Sequence, residues 1–433
     1  MIVKMKKYSS GYKDTIKNHF FLILQLLWIS FELFNKNGLM NHAAACAYGF
    51  LLSAAPALLF IAFFISRVLS ASPELMDGLL RQIGFLLSTF NIQDLMNNFL
   101  HTANSGLAGL ISIITIFWTA RLCALSAQRG LGVVFPGSRS VLKSSLVTLA
   151  FCFCVILFIF IILMGLRIAL NLYNSPNFSY ARSVTVFLFH FIRISFLFIF
   201  ALLTLAAYRF VPANPPKLKN ILPGVITCLV FFLLFTAFFS RIINPERYNL
   251  LYGTLGRLFL FLVNIYFFFV FFFFGAQLIQ VLGISEALLF ARFRRVHSKQ
   301  APPASFTARL FADIPLLLQK YSELYKKGDA VFTQFSQGKE VYYILSGKAG
   351  VYLDPECRSR IALIDESHFF GEMAALDIDG RAASIIAETD LKVLVLPHDL
   401  FATILQIDPD TDQNLIQSLS ERLKLIDKQL TKS

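Results

Sequence analysis

Six stretches of this chain are long and apolar enough to cross a hydrocarbon core, which takes about 20 residues of helix. They run approximately from Asn41 to Val68, Leu107 to Cys123, Ser144 to Leu166, Val184 to Tyr208, Ile221 to Phe239 and Leu258 to Leu282. Backbone in lipid must satisfy its own hydrogen bonds, so segments of this length read as helices. The expected fold class is an all-α polytopic membrane bundle of six transmembrane helices over residues 39–285. An earlier segment, Phe20 to Phe34, is interrupted by Gln25, Ser30 and Glu32 and followed by Lys36. It reads as an amphipathic helix lying along the lipid surface, so residues 1–38 are expected to be a cytoplasmic tail and interfacial helix. The loop from Ser70 to Gly106 carries leucines at helical spacing and is expected to cap the outer face.

Charge orients the bundle. With the N-terminus inside, 17 basic residues fall in cytoplasmic pieces, whereas Arg67, Arg81, Arg167, Arg182, Arg241, Arg247 and Arg257 fall outside. Such a bias places both termini in the cytoplasm. Lys4, Lys6, Lys7, Lys13 and Lys17 have the sign of a signal-peptide leader, but no small-residue cleavage site follows, so a retained tail is expected. Residues 1–305 carry a net charge of +18 and residues 306–433 a net −5, which together make the +13 of the chain. Two physically different halves are joined here.

Within the membrane half, Arg193 lies near His190 in the fourth run. A mid-bilayer arginine costs at least about 2.5–3.5 kcal/mol on insertion scales and must face protein or a water-filled cavity. Two readings are open: a cationic element on the path of an anionic or polar solute, or a structural role by snorkelling or by an internal hydrogen bond to backbone carbonyls. Pro56 breaks the first run, and Pro223-Gly224 opens the fifth. Arg193, His190, Pro56 and Tyr48 are the candidate cavity residues. Buried carboxylates are too scarce for a proton relay. Five of the six cysteines lie in or at the edge of apolar runs without CxxC spacing, as expected for residues filling helix contacts.

The stretches NHAAACAYGFLLSAAPALL (41–59), FWTARLCALSAQRGLGVVF (117–135), YRFVP (208–212), LPG (222–224), and LLYGTLG followed by FGAQL (250–278) resemble the YihY/BrkB family of bacterial inner-membrane proteins. The resemblance spans roughly residues 20–285. It implies a six-helix, multi-pass inner-membrane protein with both termini cytoplasmic, in a family often described as transporters without an agreed chemistry. The family tends to have an acidic residue where this chain has Gln277 and a tryptophan where it has Asn264, so any role of that carboxylate is in doubt. Some members carry a ribonuclease label, but the seven histidines form no HxH or HExxH spacing. Neither catalysis nor a metal is expected.

After Leu282 the composition changes. Residues 286–305 read as a basic, proline-containing linker, whose arginines more often anchor to anionic lipid than to nucleic acid. From residue 306, the short segments AVFTQF, EVYYILSG, AGVYLD, RIALID, AASIIAE and LKVLVLP have strand-like length and composition, with turn residues between them. They predict a small β-barrel or jelly roll over 306–433. A last helix, Asp412 to Leu430, carries a leucine-rich stripe suited to pairing with a second copy.

The sharpest motif is Phe370-Gly371-Glu372-Met373-Ala374, followed by Arg381-Ala382-Ala383. A glycine opening a short helical turn aims backbone N–H groups at an anion. An arginine nine residues after the glutamate can grip a phosphate with its forked donors. Glu372 is suited to accept hydrogen bonds from a sugar hydroxyl. With YYILSGKAGVY (342–352) upstream, the segment closely resembles the cyclic-nucleotide-binding domain of catabolite activators, cyclic-nucleotide-dependent kinases and gated channels, over about residues 308–430. By that resemblance Glu372 would bind the ribose 2′-OH, Arg381 the cyclic phosphate, and Gly371 and Ala382 would add backbone contacts. Alanine at 382, where cGMP-selective members often have threonine, leans toward cAMP. Phe335 stands where many members have glycine, a departure expected to affect barrel shape more than the pocket. Two function classes follow: a transporter or permease regulated by a cyclic nucleotide, or a non-transporting membrane scaffold or sensor with a cyclic-nucleotide-binding or degenerate, non-binding domain.

Overall fold

The structure is a computed structural model that describes residues 2–52, 121, 125–137, 197–198, 200–242, 245–298, 306–353, 360–376 and 380–408. The chain divides into two compact units, Ile29–Gly283 and a second that joins Met1–Trp28 to Ile284–Ser433.

The first unit is helical. Helix α1 (Ile2–Lys36) enters it at Ile29, followed by α2 (Leu39–Leu52), α3 (125–134), α4 (Phe200–Phe210), α5 (Leu218–Ile242) and α6 (Pro245–Gly283). Among the described residues, α5 and the Phe259–Gly283 part of α6 are long and apolar enough to cross a membrane. At 1.5 Å per residue, each of these 25-residue segments reaches about 37 Å, more than a hydrocarbon core of about 30 Å. They coincide with the last two expected spans. The start of the first expected span lies in α2 and the end of the fourth in α4. Apart from residues 197–198, the rest of those two, the second and third spans apart from Arg121, and the outer loop lie outside the described residues.

The phenylalanine-rich composition has a packing purpose. Phe235 on α5 stacks on Phe267 of α6 at 4.3 Å between ring centroids, and Phe231 meets Phe271 and Phe274 edge-on or tilted. Offset and edge-to-face aromatic pairs add about 0.5–1.5 kcal/mol each beyond burial. Where the two helices approach most closely the side chains vanish. A Cβ on Gly224 would stand 2.8 Å from the Gly275 carbonyl, and one on Gly275 only 2.7 Å from the Gly224 carbonyl. Small residues at a crossing let backbones meet in this way. The buried Tyr208 hydroxyl donates to the Phe272 carbonyl at 2.6 Å. Cys46 and Cys228 are buried in the same core.

In the second unit, α7 (Ser285–His297), α8 (Phe306–Phe311) and α9 (Pro315–Tyr321) precede eight strands. These are β1 (Ser322–Tyr325), β2 (Ala330–Phe332), β3 (Val341–Ser346), β4 (Ala349–Tyr352), β5 (Arg360–Ile364), β6 (Phe369–Phe370), β7 (Ser384–Ala387) and β8 (Leu391–Leu396). Helix α10 (Glu372–Leu376) sits between β6 and β7, and α11 (His398–Ile407) follows β8. The strands form two antiparallel four-stranded sheets, ordered β1-β8-β3-β6 and β2-β7-β4-β5. This is the double-sheet arrangement expected from the sequence, with Ile344, Val393, Ala349 and Ala387 in the core between the sheets. The terminal helix expected over Asp412 to Leu430 lies outside the described residues.

Two local expectations change. The basic run after the last span is not simply a lipid-facing connector. Ser285–His297 is helical, with Leu289, Phe290 and Phe293 buried. Arg294 and Arg295 pair with the buried carboxylate of Asp408, at 3.1 and 2.8 Å. A fully buried carboxylate draws cations inward because it is costly to leave unpaired. The Phe20 to Phe34 segment is helical as part of α1, but its polar residues do not all face outward. Gln25 is buried, and its Nε2 donates to the carbonyls of Leu310 and Asp313 at 2.8 and 3.0 Å. The residues up to Trp28 therefore belong with α8, and Trp28 lies 4.9 Å from the ring of Phe306.

Candidate functional site

The strand β6 ends at Phe370, whose buried ring stacks almost parallel on Tyr342 of β3 at 5.0 Å. Gly371 then turns the chain with φ of +79°, a conformation that side-chain-bearing residues avoid. Glu372 opens α10 fully buried, Met373 points outward, and Ala374 turns back into the interior. The motif read as one patch thus alternates between the interior and the surface.

Arg381 enters from the other side, after Gly380. Its guanidinium is 2% exposed. Nη1 donates to the carbonyls of Glu340 and Gly371 at 2.9 and 3.0 Å, and Nη2 to Oε2 of Glu340 at 3.2 Å. The Phe332 ring lies 4.2 Å below the guanidinium carbon, and the Tyr342 ring 5.5 Å away, an attraction between cation and aromatic face. Burial lowers Arg381 below its ordinary value, and the Tyr342 phenol and the carboxylates of Glu340 and Glu372 pull it back up. It stays protonated at neutral pH. Glu372 follows Gly371 in the chain and Arg381 donates to the Gly371 carbonyl, so both buried charges adjoin this turn, and the Glu372 carboxylate favours the charged guanidinium.

The backbone of Arg381 is clamped as well. Its N–H donates to the Ser336 carbonyl at 3.2 Å, and its carbonyl accepts from the Phe335 N–H at 2.8 Å. Phe335 holds a left-handed φ of +65° while its ring is 76% exposed. The departure read as a matter of barrel shape is thus a backbone clamp on the arginine of the site. Ala382 is exposed and its carbonyl accepts from Gln334 Nε2 at 3.1 Å, while Ala383 is half-buried.

Sequence reasoning did not single out Glu340, Phe332 or Tyr342 as partners of Arg381. Their segments read as ordinary strands, and no local signal says which ring or carboxylate faces a residue some forty positions away. Of the membrane candidates, Tyr48 is an exposed residue of α2, while Pro56, His190 and Arg193 lie outside the described residues. Gln277 is buried in α6, where its Oε1 accepts from Asn37 Nδ2 at 3.0 Å and its Nε2 donates to Gln280 at 2.5 Å. A neutral amide suits that position because it can satisfy both partners without a buried charge.

Comparison with known proteins also divides the chain into two parts. The family model described as virulence factor BrkB matches residues 30–292, and that of the cyclic nucleotide-binding domain matches residues 322–408. The cyclic AMP receptor protein of Thermus thermophilus is 32% identical over 110 residues, which are 25% of this chain and 50% of that protein. The cAMP-dependent protein kinase regulatory subunit of Colletotrichum orbiculare is 33% identical over 84 residues, 19% of this chain and 21% of that one. The crystal structure of Thermus thermophilus catabolite activator protein is 29% identical, covering 27% of this chain and 57% of that chain at a TM-score of 0.24. The chain spans half or less of the length of these two curated relatives.

Proposed function

The chain belongs to the virulence factor BrkB family and carries a cyclic nucleotide-binding domain behind its membrane half, and from that premise we propose a membrane transporter or permease regulated by a cyclic nucleotide. In this reading the helical unit crosses the bacterial inner membrane six times with both termini in the cytoplasm, and the solute is unidentified. The protein is not an enzyme and needs no metal.

The observation that carries the ligand reading is the presence of two buried, opposite charges, Glu372 and Arg381, adjoining Gly371. Arg381 offers fixed donors to a phosphate, and Glu372 offers acceptors to ribose hydroxyls. The aromatic faces of Phe332 and Tyr342 hold the guanidinium in place. Preference for cAMP is supported by Ala382 and by the cyclic AMP named for both curated relatives. The test is calorimetric titration of the full-length protein in nanodiscs with cAMP, cGMP and cyclic dinucleotides. Micromolar or tighter binding of cAMP that Arg381→Ala abolishes is expected; equal heats from the variant refute the assignment.

A second reading, a non-transporting scaffold or sensor, is favoured by one observation. Among the described residues, the contact of α5 with α6 is filled by phenylalanine rings and by the close approach of Gly224 and Gly275. Nucleotide-dependent solute flux in proteoliposomes separates the two readings.

A further inference from the structure

Arg381 already has an anion. Nη2 lies 3.2 Å from Oε2 of Glu340, and the two ends of this ion pair differ sharply in exposure: the arginine side chain is 2% exposed and the glutamate side chain 49%. The cation is built into the fold by two carbonyls and an aromatic ring. The carboxylate is tethered at the rim by a single charged contact. Gly338 makes room for it, since a Cβ there would stand 2.8 Å from Glu340 Oε2 and 3.2 Å from Arg381 Nη2. The backbone approaches this pair closely enough that the glycine serves the carboxylate as much as the turn.

We propose that Glu340 is a built-in competitor for the ligand: its carboxylate holds the place on Arg381 that a cyclic phosphate takes, and binding exchanges one anion for the other. This rests on the reading of Arg381 as the phosphate-gripping residue. Two anions about 3 Å from one another on a single guanidinium repel strongly, so the carboxylate swings outward as the phosphate enters. Its half-exposed position makes that swing inexpensive. Affinity is then a difference between two anions and not the full strength of the arginine. The device selects ligands with further handles: a simple carboxylate or inorganic phosphate gains nothing over Glu340, whereas a phosphodiester whose sugar also reaches Glu372 does.

The test compares wild type, Glu340→Gln, Glu340→Ala and Arg381→Ala as full-length proteins in nanodiscs, titrated with cAMP at low and high salt. Both Glu340 variants are expected to bind about tenfold tighter than wild type, the gain equivalent to about 1.4 kcal/mol. Their affinity should also fall more steeply with salt, because an uncompensated arginine attracts the anion over a longer range. Equal or weaker binding by both Glu340 variants, with wild-type binding that Arg381→Ala abolishes, overturns the competitor role and leaves the nucleotide site intact. Absence of binding by wild type and by both Glu340 variants overturns the site itself and the competitor with it.

Discussion

Replacing Gly371 by alanine tests the geometry of the site at its tightest point. An L-residue at φ +79° costs about 1–2 kcal/mol in backbone strain. The new Cβ would also stand 2.6 Å from Arg381 Nη1, against the 3.4 Å at which ordinary contact begins, a deficit of 0.8 Å. The guanidinium cannot retreat without stretching its bonds to the carbonyls of Glu340 and Gly371. Hydrogen bonds to charged groups contribute about 1.5–3 kcal/mol, so weakening one brings the total to about 3–5 kcal/mol. The chain has two tryptophans, and Trp28 belongs to the same unit as the site. Urea unfolding followed by Trp28 fluorescence in a Trp118→Phe background therefore reports on this unit alone. The same protein titrated with cAMP should lose at least about a hundredfold in affinity, the equivalent of about 2.7 kcal/mol. An alanine variant within about 1 kcal/mol of the parent, with unchanged affinity, would refute the close approach of residue 371 to the guanidinium.

Phe335→Gly should stabilise the unit by about 0.5–1 kcal/mol in the same urea assay. Relief of the left-handed strain, about 1–2 kcal/mol, outweighs the added freedom of the unfolded chain, about 0.4–1 kcal/mol, and a ring so exposed contributes little burial. Asp408→Asn should destabilise it by about 3–5 kcal/mol, since it leaves Arg294 buried without its countercharge, while pairing Asp408→Leu with Arg294→Met recovers most of the loss. Burial pushes the Tyr343 phenol up from 10.0 to about 12, against hydrogen bonding from Ser367 and the charge of Arg294. The folded state therefore keeps its proton after the unfolded chain has lost it, and the stability this confers is complete below pH 10 and lost as pH rises toward about 12. Tyr343→Phe should flatten that alkaline decline by about 2–3 kcal/mol, read from urea midpoints across the window.

What could be read in the sequence was whatever repeats or obeys a local rule. Apolar length located α5 and the distal part of α6, and short segments of strand-like composition between turn residues located β2, β3, β4, β5, β7 and β8. Strand β1 escaped because Ser322-Glu323-Leu324-Tyr325 carries no β-branched residue, and β6 because two residues set no pattern; β6 is a strand only because Tyr342 and Tyr343 pair with it. The motif from Gly371 to Arg381 was legible because glycine, glutamate and arginine are each required by a local geometry. Glu340 was not, because its role comes from a long-range approach between the start of β3 and the segment before β7. Helix α7 misled for a related reason. Its arginines look like lipid anchors until the fold supplies Asp408, which is more than a hundred residues away.

The connectivity limits how occupancy of the nucleotide site could reach the helical unit. Only two described helical passages run from one unit into the other: α1, continuous past Trp28, and the junction of α6 with α7, where Ile284 alone separates Gly283 from Ser285. The second lies nearer the site. Phe290 of α7 meets Tyr343 edge-on at 5.3 Å and Phe369 at 6.1 Å, and His297 Nδ1 lies 3.1 Å from the Tyr343 hydroxyl and 2.9 Å from Ser367 Oγ. Phe369 is two residues before Gly371, so a shift of the turn at Gly371 would be felt by α7 through the contact of Phe369 with Phe290. On the other passage, Gln25 ties α1 to the backbone carbonyls of Leu310 and Asp313. A coupling of the usual 1–3 kcal/mol needs only a modest difference in the packing of Phe290 between two states. Phe290→Ala should then leave cAMP affinity within a few-fold of wild type yet abolish any nucleotide effect on solute flux, whereas Gln25→Ala should leave that effect in place. Retention of the effect in Phe290→Ala and its loss in Gln25→Ala would assign the coupling to α1 instead.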